Sequence, residues 1–149
     1  MAIKVTVKVE GMAALRDALS ELPKATSKNV MRRVLNKRAA PIAEKADSLV
    51  PVDRGDLKKS IRVGTVLSPR ARRAHQRPGP LAVEVLVGPG PHPQAHLQEF
   101  GTQHHGAQPY MRPAWDASKD TLLTDIGKDI AEEIEKARKR LARKAAKGK

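Results

Sequence analysis

Histidine and glutamate side chains gather in one short stretch of the chain, and they are of the types that bind metal ions. A helix would place three of them on one side, and two more histidines follow closely. Imidazole nitrogens with a carboxylate form many catalytic zinc sites, so a small metal-dependent hydrolase is one hypothesis. Pro93 and Gly101 bracket the segment, however, and leave it short for a helix. The residues concerned are His92, His96 and Glu99, followed by His104 and His105.

Other enzyme chemistries lack their usual residues in this sequence. The chain has no cysteine, which excludes a thiol nucleophile, a thiolate metal site and a disulfide framework. It also lacks the nucleophile-elbow motif of serine hydrolases and the phosphate-loop motif of nucleotide-binding enzymes. In Gly88-Pro-Gly-Pro91, prolines stand where a phosphate cradle needs backbone N–H donors. We therefore predict that the protein is not an enzyme and has neither a cofactor nor a metal.

The charge balance points to anionic partners. Lys and Arg number 29 against 16 Asp and Glu, which gives a formal net charge of +13 at pH 7. Such an excess favours contact with nucleic acid or with an acidic protein surface, so a basic nucleic-acid-binding protein is a second hypothesis. Only Phe100, Tyr110 and Trp115 are aromatic, too few for the stacking platforms that bind single strands. Any contact with DNA should therefore be to its phosphates.

Four arginines are concentrated in one segment without apolar periodicity. The segment runs from Ser68 to Pro80 and contains three prolines, at positions 69, 78 and 80. This composition predicts a mobile loop that projects from a hairpin and becomes ordered when it meets a partner. The arginines are Arg70, Arg72, Arg73 and Arg77.

The apolar pattern along the chain predicts an α+β fold. Residues 3–9 alternate as in a half-buried strand, residues 12–50 follow helical spacing, and residues 60–66 and 81–87 return to strand-like composition. A long helix follows from Trp115 to Leu141. Pro41 lies within the second helical stripe, where it predicts a kink or a break near residues 38–40. We expect a small antiparallel sheet packed against N-terminal helices and a long C-terminal helix.

This order of elements fits one domain over residues 1–141, followed by a basic, frayed tail at 142–149. No apolar run approaches the roughly 18 residues of a membrane helix. The N-terminus also lacks the continuous apolar stretch of a secretory signal. We therefore expect no contact with a membrane.

A compact corner joins the second helical stripe to the next strand, over Val50-Pro-Val-Asp-Arg-Gly-Asp-Leu-Lys-Lys-Ser-Ile61. Pro51 should stop the helix, Asp53 can accept from the N–H groups of a tight turn, and Gly55 can take a positive φ. Leu57 and Ile61 are four residues apart and should close the turn onto the core before the strand starts at Ser60. Taken by itself, this is a well-formed corner between a helix and a strand.

With two further blocks, this corner resembles the siphophage neck or tail-completion proteins, often labelled tail-component proteins. The order and separation of the blocks carry the resemblance, which extends over nearly the whole chain. Departures are Arg54, where the family commonly has threonine, the basic insert, and the histidines around Glu99. The blocks are the corner with Pro51, Asp53, Gly55, Leu57 and Ser60, then Glu99, Phe100, Gly101 and Thr102, then Pro109 to Ala114 with Arg112 and Pro113.

The resemblance implies a structural role in the virion. Subunits of such proteins form a ring, expected to be a hexamer, that joins the tail tube to the head-closure or connector protein around the DNA channel. In such a ring, the arginines of residues 70–77 would contact a neighbouring subunit or line the channel, and we favour the neighbour. Non-specific contact with the genomic DNA stays open, as do the neck, tail-terminator and tail-completion positions. The protein would reside in the neck or tail of the virion after assembly in the host cytoplasm. Glu99 and Arg112 should form an ion pair within the chain or between subunits, and we favour the former.

Overall fold

A computed structural model describes residues 11–66, 73, 75, 79 and 82–147. The fold is α+β, as predicted, with a two-stranded antiparallel sheet, N-terminal helices and a long C-terminal helix. The strand predicted at residues 3–9 lies outside the described residues. The elements are α1 (Met12–Ser20), α2 (Lys24–Leu49), α3 (Asp56–Ser60), β1 (Ile61–Gly64), β2 (Leu86–Pro89), α4 (Ala95–Phe100), α5 (Met111–Asp116) and α6 (Lys119–Ala146).

The two long helices, α2 and α6, pack against each other and form the first of two apolar cores. Apolar residues recur at helical spacing on both, so each helix presents one stripe to the other. Leu15, Ala18 and Leu19 of α1 pack over this core from the side. Its buried members are Leu22, Val30, Val34, Ile130, Ile134 and Ala137.

Ion pairs tie the same two helices together along one edge of this core. Asp129 of α6 is 4% exposed and accepts from Lys37 Nζ at 2.9 Å and from Arg38 Nε. Arg38 also lies 3.2 Å from Asp125. These cations, with Arg38 foremost, lower the pKa of Asp129 to about 2 although burial opposes the shift. The carboxylate is therefore charged at neutral pH and holds α2 against α6.

Pro41 does not interrupt α2. Of the kink or break predicted from Pro41, the break is wrong, because the helix is continuous from Lys24 to Leu49; the kink stays a prediction. A proline inside a helix removes one hydrogen bond and costs about 3 kcal/mol. Burial of Ile42 and Ala46 on one side of Pro41 and the ion pairs of Lys37 and Arg38 on the other hold the helix in place. Tertiary packing thus outweighs the local preference.

The hairpin is shorter than the sequence suggested. β1 pairs with β2 from Ile61 opposite Pro89 to Gly64 opposite Leu86, whereas strands were expected over residues 60–66 and 81–87. Residues 82–85 are not in a strand despite their β-branched composition. A strand needs a hydrogen-bonding partner, and the ladder ends at Gly64. The long connection therefore leaves the hairpin at its Gly64 end.

The second core lies below the hairpin and is built from three one-turn helices and the end of α2. It contains Leu57 of α3, Tyr110 and Ala114, with Ile61 and Val87 of the strands packed against it. Pro113 lies in the first turn of α5, and the expected long final helix is divided into α5 and α6. The remaining buried members are Ile42, Ala46 and Val50.

Helix α6 continues into the segment expected to be a frayed tail. It ends at Ala146, with Arg143 and Lys144 in its last turn. Alanine is the best helix former, and cations near a helix C-terminus interact favourably with its dipole. Among the described residues, no helix is both long and apolar enough to span a bilayer.

Replacing Asp129 with asparagine should weaken the contact between α2 and α6. We expect D129N to reduce the free energy of unfolding at pH 7 by about 1 to 3 kcal/mol. Because the folded-state pKa is about 2, below the ordinary value of 3.8, the carboxylate stabilises the fold fully above about pH 4. That contribution is lost as the pH falls toward 2, so wild type and variant should converge there.

Urea denaturation followed by circular dichroism across this pH range measures the effect. Glu132→Gln on the same helix is the control, because Glu132 is exposed and makes no ion pair with a residue that the structure describes. Equal stability of D129N and wild type at pH 7 would contradict a stabilising role for the buried carboxylate.

Candidate functional site

The carboxylate of Glu99 joins two sequence blocks that lie apart in the chain. Glu99 is 5% exposed and stands at the end of α4, facing the first residues of α5. Its Oε2 accepts from the backbone N–H groups of Tyr110 at 2.8 Å and Met111 at 2.9 Å, and Oε1 accepts from that of Arg112 at 3.0 Å. The first N–H groups of a helix have no partner within it. Glu99 supplies that partner from a distant part of the chain.

Arg112 completes the network with its side chain. Its Nε donates to Oε1 of Glu99 at 3.0 Å, and its Nη2 donates to the backbone carbonyl of Glu99 at 2.6 Å. The guanidinium carbon lies 4.9 Å from the centre of the Phe100 ring, a cation–π contact. The ion pair favoured from the sequence is therefore present within the chain.

These donors set the charge state of Glu99. Burial alone would raise the pKa of this carboxyl group, but hydrogen bonds from the N–H groups of Met111, Tyr110 and Arg112 and from the Arg112 side chain hold it below its usual value. Tyr110 beneath it is 1% exposed, and burial together with the Glu99 charge raises the pKa of its phenol to about 12. Both groups therefore keep one protonation state near neutral pH.

Gly101 and Thr102 shape the loop that returns the chain to α5. Gly101 has φ 79°, and a Cβ on it would lie 2.8 Å from the backbone nitrogen of Ala107. The Thr102 side-chain oxygen accepts from the N–H groups of His104 and His105, both at 3.1 Å. Each residue of this block thus has a role in the turn. Glu99 caps α5, and the Phe100 ring lies against Arg112. Gly101 allows the close approach of Ala107, and Thr102 closes the loop.

The corner block packs under the same network. Gly55 has φ 80° and begins α3, Leu57 is buried in the second core, and Ser60 donates from its hydroxyl to the Leu57 carbonyl at 2.7 Å. Asp53 does not act as the predicted acceptor at this turn, because α3 begins without a side-chain cap and Asp53 is exposed. The backbone geometry that Gly55 permits makes the turn, and no carboxylate is needed.

A groove of about 470 Å³ opens between the corner block and α4. Two carboxylates and one guanidinium line it on the corner side, and Gln98 lines it from α4. Two of its atoms, His92 Nδ1 and Gln98 Oε1, are buried without a hydrogen-bond partner. Buried polar atoms normally have a partner, so this groove has unused hydrogen-bonding capacity. Its lining residues include Pro51, Asp53, Arg54, Gly55, Asp56 and Leu57.

The residues of the metal-site hypothesis do not come together. No three histidine, aspartate or glutamate side chains among the described residues are placed to hold a metal ion, and His92, His96 and Glu99 are all described. The Glu99 oxygens are occupied by the α5 N–H groups and Arg112, and His96 is exposed. His96 and Glu99 lie on α4 whereas His92 precedes it, and the Glu99 carboxylate caps α5.

The arginine-rich segment is described only in part. Arg73 is exposed, and His75 nearby lies 2.8 Å from Glu84. Arg70, Arg72 and Arg77 lie outside the described residues, as does most of the loop expected at 68–80. Pro109 falls between Gln108, whose N–H donates to the Gln98 carbonyl at 2.8 Å, and the buried Tyr110.

Glu99→Gln tests the network directly. The variant loses the negative charge that four N–H donors share, so we expect a loss of about 2 to 3 kcal/mol in the free energy of unfolding at pH 7. Since the folded-state pKa of Glu99 is lowered, its stabilisation is present at neutral pH and disappears in acid as the carboxyl group protonates. Urea titrations at several pH values, with Glu132→Gln as the control, measure this, and a neutral effect would contradict the capping role.

Gly101→Ala tests the close approach in the loop. The added methyl group meets backbone atoms at 2.8 Å and 3.1 Å in a left-handed conformation, so we expect a loss of about 2 kcal/mol or more. Gly106→Ala is the matched control in the same loop, since no atom lies within 4 Å of the position of its added carbon. The two thermal unfolding curves should differ by several degrees; coincident curves would show that the loop is not tightly constrained.

Comparison with known proteins identifies the family of this chain. A model described as "Bacteriophage HK97-gp10, putative tail-component" matches residues 13–101, more than half of the chain. The matched range contains the corner block and Glu99, while Arg112 and the rest of the third block lie beyond it. No curated protein and no solved structure matches the chain. The chain belongs to the HK97-gp10-like family of phage tail components.

Proposed function

We propose that this chain is a structural subunit of the phage neck or tail end and forms a ring around the DNA path. The observation that carries the proposal is the family match over residues 13–101. The ring would join the tail tube to the head-closure or connector protein, and a hexamer fits a tail of sixfold symmetry. The protein would then lie in the virion after assembly in the host cytoplasm.

The chemistry of the best-formed site supports a structural role over an enzymatic one. A catalytic carboxylate must exchange protons or bind a substrate, whereas the Glu99 oxygens accept four hydrogen bonds from α5 and Arg112. Its pKa is lowered, away from the value that a general acid or base needs near neutral pH. The site is built to hold two segments of chain together, which is what an assembly subunit requires.

The positive charge suits a subunit that surrounds DNA during its passage. The net charge of +13 attracts phosphates through long-range, salt-sensitive interactions, and these carry no sequence information. Much of it lies on exposed residues of the C-terminal part of α6, among them Lys139, Arg140 and Arg143. This same feature favours the second candidate, a basic nucleic-acid-binding protein that acts without a ring.

Mass photometry and negative-stain imaging of the purified chain, alone and with its tail-tube protein, separate the two candidates. We expect closed rings or capped tube ends. The control is an equal concentration of the Glu132→Gln variant, which changes an exposed side chain on α6 and should assemble as the wild type does.

A chain that stays monomeric, ignores tube ends and shifts duplex DNA would contradict the ring proposal. In that case the affinity for DNA should fall steeply with salt, by roughly a factor of 10³ or more between 50 and 200 mM if six or more phosphates are contacted.

A further inference from the structure

The groove beside the corner block is chemically suited to a cation. Asp53 and Asp56 are both exposed and line it, and Gln98 contributes a buried side-chain oxygen without a donor. Arg54 lines the same groove, so the two carboxylates and this guanidinium give the groove a formal charge of −1. A guanidinium is planar and carries five N–H donors, so it can pair with a carboxylate and an amide oxygen at once.

The charge pattern of the whole chain makes these carboxylates unusual. Most described carboxylates already pair with a lysine, an arginine or a histidine of the same chain. The paired ones are Asp17, Glu21, Asp47, Glu84, Glu99, Asp116, Asp125, Asp129, Glu133 and Glu135. Those without an ion pair to a described residue are Glu44, Asp53, Asp56, Asp120 and Glu132. Copies of a chain with net charge +13 repel one another, so exposed carboxylates without an ion pair to a described residue are where a neighbour's cations can be accepted.

The groove lies at one end of the hairpin, and the connection that contains the arginine-rich segment starts and finishes at the other end. The corner block enters β1 at Ile61, and β2 leaves at Pro89 toward His92, so the groove is at this end. The segment with Arg73 connects the other end, from Gly64 to Leu86. The strands separate these ends by about 10 Å. A donor and an acceptor at different places on the chain can meet in a reciprocal twofold pair or in a repeated head-to-tail contact, and only the repeated contact gives a ring of more than two subunits.

We propose that the groove lined by Asp53, Asp56, His92 and Gln98 is a socket for an arginine of residues 70–77 in a second copy of this chain. Four arginines and no carboxylate lie in that segment, and Arg73 is exposed. Repeating this head-to-tail contact closes a ring when the rotation between copies allows it. The inference rests on the proposed function and names the surfaces through which subunits of the ring meet.

Charge reversal on each side tests the contact in the full-length chain. The socket variant carries Asp53→Lys and Asp56→Lys, and the arm variant carries Arg70→Glu, Arg72→Glu, Arg73→Glu and Arg77→Glu. Each should weaken self-association at least about tenfold, measured by sedimentation velocity and on tail tubes. Combining both sets in one chain makes the two surfaces complementary again and should restore assembly.

Mixing the two single-sided variants gives a second readout that distinguishes a head-to-tail contact. The basic arm of the socket variant fits the acidic socket of the arm variant, and the acidic arm of the arm variant fits the lysine socket of the other. Both contacts can therefore form in the mixture, and we expect rings in which the two variants alternate. Pairs that do not grow further, or no association at all, would overturn the proposed head-to-tail pairing.

Glu44→Lys with Glu132→Lys is the matched control, because both residues are exposed on the long helices and the change in net charge is the same as in the socket variant. It should assemble as the wild type does, and circular dichroism checks that every variant is folded. A socket variant that assembles like this control overturns the inference and leaves the ring intact. A wild type that is monomeric both alone and on tubes overturns the proposed function and the inference with it.

Discussion

The buried carboxylate of Glu99 is the interaction on which the second core depends. It accepts from three consecutive backbone N–H groups at the start of α5 and from the Arg112 side chain. α5 has only six residues, too few to be stable alone in water. Without a remote cap, its first turn would leave N–H donors unpaired next to the buried Tyr110. Glu99 therefore fixes the position of Tyr110 and Ala114, and these two fill the second core.

The two cores are stabilised in different ways. The first is an apolar interface between two long helices, and the helical spacing of their apolar residues is sufficient to bury one face of each. Asp129 adds ion pairs at the edge of this interface. The second gathers one-turn helices, a four-residue hairpin and the end of α2, none of which could bury its apolar side chains alone. Specific polar contacts are needed there because short elements have little packing area. α2 contributes to both cores and so connects them.

How far the sequence predicts this structure follows from the length of each element. The spacing of Val30, Val34, Ile42 and Ala46 identified the buried face of α2, because a helix of 26 residues repeats its pattern several times. A one-turn helix is too short to repeat an apolar pattern, so α3, with five residues, was not predicted. The break predicted at Pro41 was wrong because the rule that proline interrupts a helix considers only the local chain, not the tertiary contacts that stabilise α2.

The role of Glu99 was only half predictable from residue types. Opposite charges at Glu99 and Arg112 suggested their ion pair, which the structure contains. The three backbone donors could not be foreseen, since every residue except proline carries an N–H group and only the fold brings three to one carboxylate. Because these backbone donors could not be foreseen, Glu99 counted as an available ligand, and its spacing from His92 and His96 suggested a metal site. The sequence showed that these side chains are close along the chain. It did not show that the Glu99 carboxylate would accept hydrogen bonds from the start of α5.

The same network bears on assembly through geometry. A ring of identical subunits closes only when the two contacting surfaces of each subunit keep a fixed relative position. The strands that separate the two ends of the hairpin rest on the second core through Ile61 and Val87, and the groove residue Leu57 is part of that core. α4, which carries Gln98, is held to α5 by Glu99 and Arg112. In the proposed ring, a loosened network would therefore change the angle between the surfaces before it unfolded the long helices. Accurate closure of such a ring would demand more of the Glu99 network than folding does.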